Sequence, residues 1–394
     1  MPIYKLQIVY FWLFLAGYCL ASDHTGPDEP PKSVDDPDHR KGSGLALIPK
    51  TVRANRSYKA FQLAQFNSVN AIAFSPDGKL MAVGCGHRRS RMFDGFINLW
   101  DMDKKKIIAQ IRGQHESIGC LAFSPDGKTL ASGGVARDMI LWDVATRRLK
   151  FKAAVDETHA EGGDTDVRRI RFSSDGSRLA YLDDLRQVRV WELGSGAKER
   201  TPYRTPVKAD IFDVAFAADN SLRVLARDVR TKRDMGSDTR LWSSATNEPL
   251  WSLSQPLIAD LDGVFSPDGK KIAILDGVQH SRVPREFNPA FENPIRDAES
   301  GGVVARYSTS LPVRTLKFTP DGERMAISSM IYDRAVPEFI RMIDARTGEL
   351  LGDVDSPISI TCMEFSPDGR LLATDENDET VTVRKVAGII DINP

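Results

Sequence analysis

Phe74-Ser75-Pro76-Asp77-Gly78-Lys79 is a hexapeptide that returns at Phe123–Lys128 and Phe265–Lys270, and with arginine in its last place at Phe365–Arg370. Three altered copies lie between these: FSSDGS from Phe172, FAADNS from Phe216 and FTPDGE from Phe318. The seven leading phenylalanines are 44 to 53 residues apart. Self-similarity at such a period marks a chain that stacks one supersecondary unit, so this pattern decides the architecture before any other property does.

Each unit follows one physical grammar. An apolar residue two places before the phenylalanine shares its face of a strand: Ile72, Leu121, Ile170, Val214, Leu316 and Met363, with Gly263 as the exception in unit five. Ser-Pro-Asp-Gly then reverses the chain, because Pro pre-sets φ, Asp bonds its own backbone and Gly accepts a positive φ; Asp77-Gly78 and Asp126-Gly127 are the clearest copies. A second apolar strand follows, such as Leu80–Gly84. After a variable loop comes a third, ending at Leu99-Trp100-Asp101, Leu141-Trp142-Asp143, Val190-Trp191-Glu192 and Leu241-Trp242-Ser243. The later copies, Ile295-Arg296-Asp297, Met342-Ile343-Asp344 and Val383-Arg384-Lys385, lose the tryptophan and keep the strand pattern. A fourth strand such as Glu248–Leu253 completes the unit. Seven such units predict an all-β, seven-bladed β-propeller with four antiparallel strands per blade. The last unit reaches the chain end without a fourth strand, and Tyr58–Phe66, with Phe61 and Leu63 alternating, is expected to close the ring in its place.

Through the FSPDG turns and Leu-Trp-Asp endings of units one and two, the chain resembles the WD-repeat β-propeller family, in an exported, bacterial-type form with degenerate repeats. The resemblance runs from about Leu45 to the C-terminus. It implies an interaction scaffold, with the Ser-Pro-Asp-Gly turns on one face of a disc and the second-to-third-strand loops on the other. Family blades carry a polar network of His, Ser or Thr, Asp and Trp. Unit two keeps His115, Ser132 and Trp142 with Ala136 in the Asp place; unit one keeps Asp94 and Trp100 but has Val83 and Phe66 in the other two.

The rest of the sequence bounds the setting. Apolar residues at 41% and charged residues at 27% suffice for an ordinary core, and a net charge of -1 gives no pull on phosphate backbones, so nucleic acid is not an expected partner. Lys5 precedes an apolar run, Ile8 to Leu20, that falls short of the roughly 20 residues a spanning helix needs. Residues 1–21 therefore read as a signal peptide cut between Ala21 and Ser22, which places the chain in the periplasm or outside the cell. An uncleaved anchor and a lipid on Cys19 are the alternatives, and membrane attachment is expected only through one of these. Residues 22–44, rich in Asp and Pro, read as a disordered linker, and 45–394 as the propeller. Cys85, Cys120 and Cys362 are an odd set for a disulfide framework and read as buried small apolar residues.

Candidate binding residues lie in the variable loops, which are basic: Arg88, Arg89 and Arg91 in unit one, Arg137 in two, Arg186 in three. Unit four adds Arg227, Arg230, Lys232 and Arg233, unit five Arg285 beside Phe287, Phe291 and Pro294, and unit six Arg334. The seventh loop, with Asp375, Glu376, Asp378 and Glu379, is acidic. Such asymmetry orients a charged partner, an anionic ligand among them. His87, His115, His159 and His280 fall in loops of the same side but come from different blades, and no HExxH, GxSxG or CxxC motif is present. The expected function is a non-catalytic, monomeric scaffold without cofactor or metal that binds a protein or peptide. A propeller hydrolase or lyase with its site at the channel mouth, and a membrane-anchored display module, are the competing readings.

Overall fold

The computed structural model describes residues 59–64, 68–86, 95–113, 117–134, 138–154, 166–183, 187–194, 198–199, 203, 209–228, 236–256, 262–275, 291–309, 313–329, 338–356, 360–376 and 380–390. The expected signal and linker segments, 1–21 and 22–44, lie outside them. No helix among the described residues is long and apolar enough to cross a membrane.

Strand β1 (Lys59–Ala64) precedes the first blade, β2 to β5 (Val69–Phe74, Leu80–Cys85, Phe96–Asp101, Lys106–Arg112). Blades two and three are β6 to β9 (Ile118–Phe123, Thr129–Gly134, Asp138–Asp143, Leu149–Ala154) and β10 to β13 (Val167–Phe172, Arg178–Asp183, Val188–Glu192, Lys198–Glu199). Blade four is β14 to β17 (Ala209–Phe216, Leu222–Asp228, Gly236–Ser243, Glu248–Pro256), and blade five β18 to β21 (Asp262–Phe265, Lys271–Leu275, Phe291–Asp297, Val303–Thr309). Blade six is β22 to β25 (Val313–Phe318, Arg324–Ser329, Glu338–Asp344, Leu350–Ser356), and β26 to β28 (Met363–Phe365, Leu371–Glu376, Thr380–Lys385) begin blade seven. The seven sheets each have four antiparallel strands, and the seventh takes β1 as its outer strand, Phe61 opposite Val383 and Ala64 opposite Thr380. The ring closes as the sequence predicts.

Period-two alternation sends successive side chains of each strand to opposite faces, so every sheet packs on two neighbours. Met81 and Val83 of β3 face blade seven, where they meet Ala373, Val381 and Val383. Ala82 between them faces blade two with Ile97 and Leu99. Seven such wedges, one per interface, make the core. At the blade-four to blade-five interface the size order is reversed. Leu225 fills the room that a Cβ on Gly263 would need, whereas in the first interface it is Gly84 that yields to Ile118 and Leu121. Gly263, the exception in the repeat, is thus the small partner of a large neighbour.

The turns explain the hexapeptide. Ser75 Oγ donates to Asp77 Oδ1 (2.6 Å) and accepts from the Leu80 amide (2.9 Å), while Asp77 Oδ1 accepts from the Lys79 amide (3.1 Å). Gly78 sits at φ 70°, in the left-handed region. In blade four Ala217 replaces the serine, and Ser244 at the end of the third strand supplies the missing oxygen to the Leu222 amide (2.8 Å). The turns are neighbours around the axis: a Cβ added to Gly127, Gly176, Gly369 or Gly78 would meet Pro76, Pro125, Pro320 or, across the closure, Pro367 at 3.5–3.8 Å. One face is therefore a ring of turns, and antiparallel strands carry the second-to-third-strand loops to the opposite face.

The third-strand tryptophans each face the preceding blade. Trp142 Nε1 donates to Ser132 Oγ (2.9 Å) as the family network implies, while Trp100, Trp191 and Trp242 find no partner for Nε1 among the described residues. In blade seven Arg384 stands where the tryptophan would, and its Nη1 donates to Thr374 Oγ1 (2.6 Å), the counterpart of Ser132. Phe291 and Pro294, expected in the unit-five loop, belong instead to β20. Pro294 has no N–H for the β19 side, and the β19–β20 ladder ends at Ala273–Ile295, one pair short of it.

Candidate interaction surface

Arg88, Arg89, Arg91, His115, Arg137, Arg186, Arg230, Lys232, Arg233, Arg285, Phe287 and Arg334 all lie outside the described residues, as do His87, His159 and His280. What the structure gives is the set of strand ends that hold their loops, and polar clamps fix several of these.

In blade one the loop bearing Arg88 starts after Gly86. Asn70 Nδ2 donates to the Gly86 carbonyl (2.6 Å) and to Ser117 Oγ (3.0 Å), and Ser117 Oγ in turn donates to Gly86 (3.1 Å). Ser117 flanks the segment containing His115, so the two segments leave from one buried knot. A Cβ on Gly86 would come within 2.7 Å of Ser117 Cα, which leaves glycine as the residue that fits.

Blade four holds its loop ends with ion pairs. Arg227, expected in the loop, is in β15; its Nη2 donates to Asp210 Oδ2 (3.2 Å) and its guanidinium lies 5.7 Å from the Phe212 ring centre. Arg240 Nη2 reaches Asp228 Oδ2 (3.1 Å) and Asp238 Oδ2 (3.0 Å). These pairs span both ends of the loop that contains Arg230, Lys232 and Arg233. They are partly buried, so the attraction is less screened than at an open surface. β16 and β17 also run beyond β15, from Gly236 opposite Pro256 to Asp238 opposite Ser254, so this blade projects a two-stranded ribbon on the loop side.

Beneath it Asp213, wholly buried, joins three blades. Its Oδ2 accepts from Arg171 Nη2 (3.3 Å) of blade three and from the Phe265 amide (3.1 Å) of blade five, with Arg169 Nε 3.9 Å from Oδ1. A buried carboxylate needs such partners, and stripping one leaves a destabilising charge. In blade seven Asp375 plays a related part: Oδ1 accepts from the Thr361 and Cys362 amides (2.8 and 2.9 Å) and Oδ2 from Thr361 Oγ1 (2.5 Å). These side-chain bonds stand beside a backbone bond from the Asp375 amide to the Cys362 carbonyl (3.2 Å), just before the three-residue β26.

Asp210, Phe212, Asp213, Arg169 and Arg171 escaped the sequence reading. The signal was charge on an inner strand, at alternate places for Arg169 and Arg171 in Val167-Arg-Arg-Ile-Arg-Phe172 and three places apart for Asp210 and Asp213.

The described groups offer little for chemistry. Burial pushes the Cys85 thiol up to about 12 and raises Cys362, helped by the adjacent Asp375, so both stay protonated at neutral pH. None of the three described cysteines is in a disulfide; Cys85 and Cys120 are buried and Cys362 partly so. No set of three or more His, Cys, Asp or Glu in metal-holding array occurs among the described residues.

WD40 repeats are present: the family model described as WD domain, G-beta repeat matches residues 60–101, 105–143 and 348–383. Each match joins the outer strand of one blade to the first three of the next, and the first begins in β1, the closing strand. No curated protein matches the chain. Among solved structures, the β-propeller domain of Cps50 (Swd1) from Myceliophteria thermophila is similar at a TM-score of 0.63, with 15% identity over 83% of this chain and 99% of that one. A chain of the mitotic checkpoint complex is similar at 0.61, with 14% identity over 91% and 99%. These likenesses concern the fold.

Proposed function

We propose that the chain is a non-catalytic scaffold that holds a protein or peptide partner on its loop-side rim. One observation carries this: a closed ring brings unlike second-to-third-strand loops to one side, and polar clamps fix the bases of those in blades one and four, at the Asn70–Gly86–Ser117 knot and the Asp210–Arg227 and Asp228–Arg240–Asp238 pairs. Variable loops on a rigid support are where recognition concentrates. WD40 propellers are in general protein-binding scaffolds, and one of the similar structures is a chain of a multiprotein complex. The arginines of units one and four favour a partner with an acidic patch, over a contact of about 1,600 Å² in total. The apolar run after Lys5 supports an exported setting, and we take the scaffold to be a monomer; N-terminal sequencing and sedimentation of the purified protein check the two.

The test is affinity capture with the wild type and with Arg88, Arg89, Arg230 and Arg233 all changed to Glu. The variant is expected to fold and to lose its partners. An unchanged set of captured proteins would remove the basic rim from the recognition.

A further inference from the structure

The turn side, which the function above does not use, carries a charge asymmetry of its own. In blades one and two the hairpins between third and fourth strands present Lys104, Lys105, Lys106, Arg147, Arg148 and Lys150, all exposed. They join the turn face directly, since the Met102 amide donates to the Lys79 carbonyl (2.9 Å) and the Val144 amide to the Lys128 carbonyl (3.0 Å). Lys79 and Lys128 are themselves exposed and extend the same sector.

Of the three acidic side chains in these hairpins, Asp103 is exposed among the lysines, and Asp101 and Asp143 have oxygens turned onto the hairpins. Asp101 Oδ1 accepts from the Lys104 amide and Oδ2 from Lys104 Nζ (both 2.8 Å), and Asp143 Oδ1 accepts from the Thr146 amide and hydroxyl (2.7 and 2.8 Å). Their acceptor positions are taken up locally while the remaining cations extend outward. The corresponding hairpins of blades five and six carry Glu299, Glu349 and Arg346 instead, and are acidic on balance.

The backbone supplies an independent observation. One position of this hairpin is left-handed in each blade where all of it is described: Gly301 (φ 71°) and Gly348 (φ 82°) in blades five and six, Asn247 (φ 59°) in four. In blades one and two it is Lys105 (φ 53°) and Arg147 (φ 61°). A Cβ disfavours that conformation, and strain of this kind collects where a side chain is needed for another purpose.

Ile107 and Leu149, 42% and 52% exposed, stand two residues beyond these cations. The equivalent Val303 and Leu350 of blades five and six are also exposed (42% and 49%), so the aliphatics recur while the cations do not. Mostly lysines on flexible stems, rather than arginine forks against a shaped pocket, suit a diffuse layer of negative charge, and flanking aliphatics suit its apolar interior.

We propose that the turn-side rim of blades one and two is a contact surface for an anionic phospholipid bilayer. The test is co-sedimentation of the full chain with phosphatidylglycerol vesicles and with phosphatidylcholine vesicles, at low and high salt. Binding is expected to phosphatidylglycerol alone and to weaken with salt. Lys105→Gly with Arg147→Gly removes two cations and relieves two strained residues. This variant is expected to raise the melting temperature while lowering vesicle partitioning roughly thirtyfold. Lys104→Glu with Lys106→Glu should lower it further, and the four-arginine variant of the loop side should leave it unchanged, so this surface and the loop rim stand or fall separately. Equal binding to both lipids, full binding by the glycine variant, or retention on polyglutamate without vesicle association would each overturn the proposal, the last in favour of an acidic protein.

Discussion

Changing Leu225 and Gly263 separately and together measures how the blades recognise one another. Leu225 is fully buried, and its Cδ2 occupies the place of a Gly263 Cβ. Leu225→Ala removes three carbons from a closed wedge among Leu241, Phe265, Ile272 and Ile274, which costs about 2–5 kcal/mol depending on how far the site collapses. Gly263→Ala drives a methyl into the leucine and costs about 1–3 kcal/mol by overpacking. In the double variant the new methyl enters the space the leucine has left, so its loss should fall short of the sum of the singles by about 1–3 kcal/mol. Urea unfolding followed by tryptophan fluorescence reads this as a shift in midpoint at constant slope. Additive losses would mean that the two residues do not share one space, and the reversed packing of this interface would be refuted.

Ser132→Ala leaves the buried Trp142 N–H without its acceptor and should cost about 1–2 kcal/mol, whereas Val83→Thr, which offers Trp100 a hydroxyl at the same register, should cost little or stabilise; thermal melts of both check this. Deleting residues 1–64 exposes the β28 edge and should produce concentration-dependent aggregate, measured by light scattering against the full chain. Acid should unfold the protein through its hairpins. The Ser75, Ser124 and Ser173 hydroxyls, and then the amides two residues beyond each carboxylate, hold Asp77, Asp126 and Asp175 below the ordinary 3.8, and Arg346 holds Asp344 at about 2. A pKa lowered by folding stabilises the native state above 3.8, and that stability is lost as pH falls toward 2. Fluorescence titration of Ser75→Ala with Ser124→Ala should show the transition at higher pH than the wild type; an unmoved midpoint would detach the turns from acid stability.

Blade number, strand ends and ring closure were legible because their causes are local: Phe at a fixed place, Pro and Gly in a turn, and alternation along six residues. The features the sequence hid depend on residues that meet only across sheets. Nothing near Gly263 announces Leu225, and nothing near Arg384 announces that Thr374 lets it stand in for a tryptophan. Pro294 misled for the opposite reason, since proline argues against a strand unless one ladder stops beside it. The clamps of blade four were hidden because Asp210 and Arg227 are 17 residues apart and read as ordinary surface charge.

The closing strand has a consequence for synthesis. β1 leaves the ribosome first, yet its partner β28 is made more than three hundred residues later. At roughly 5–20 residues per second that interval is tens of seconds, during which blades one to six assemble beside an open cleft with an apolar lip on each side. The nascent chain must therefore keep β1 unpaired until β28 is made, and any delay before β28 prolongs the time in which two such molecules can pair with each other instead.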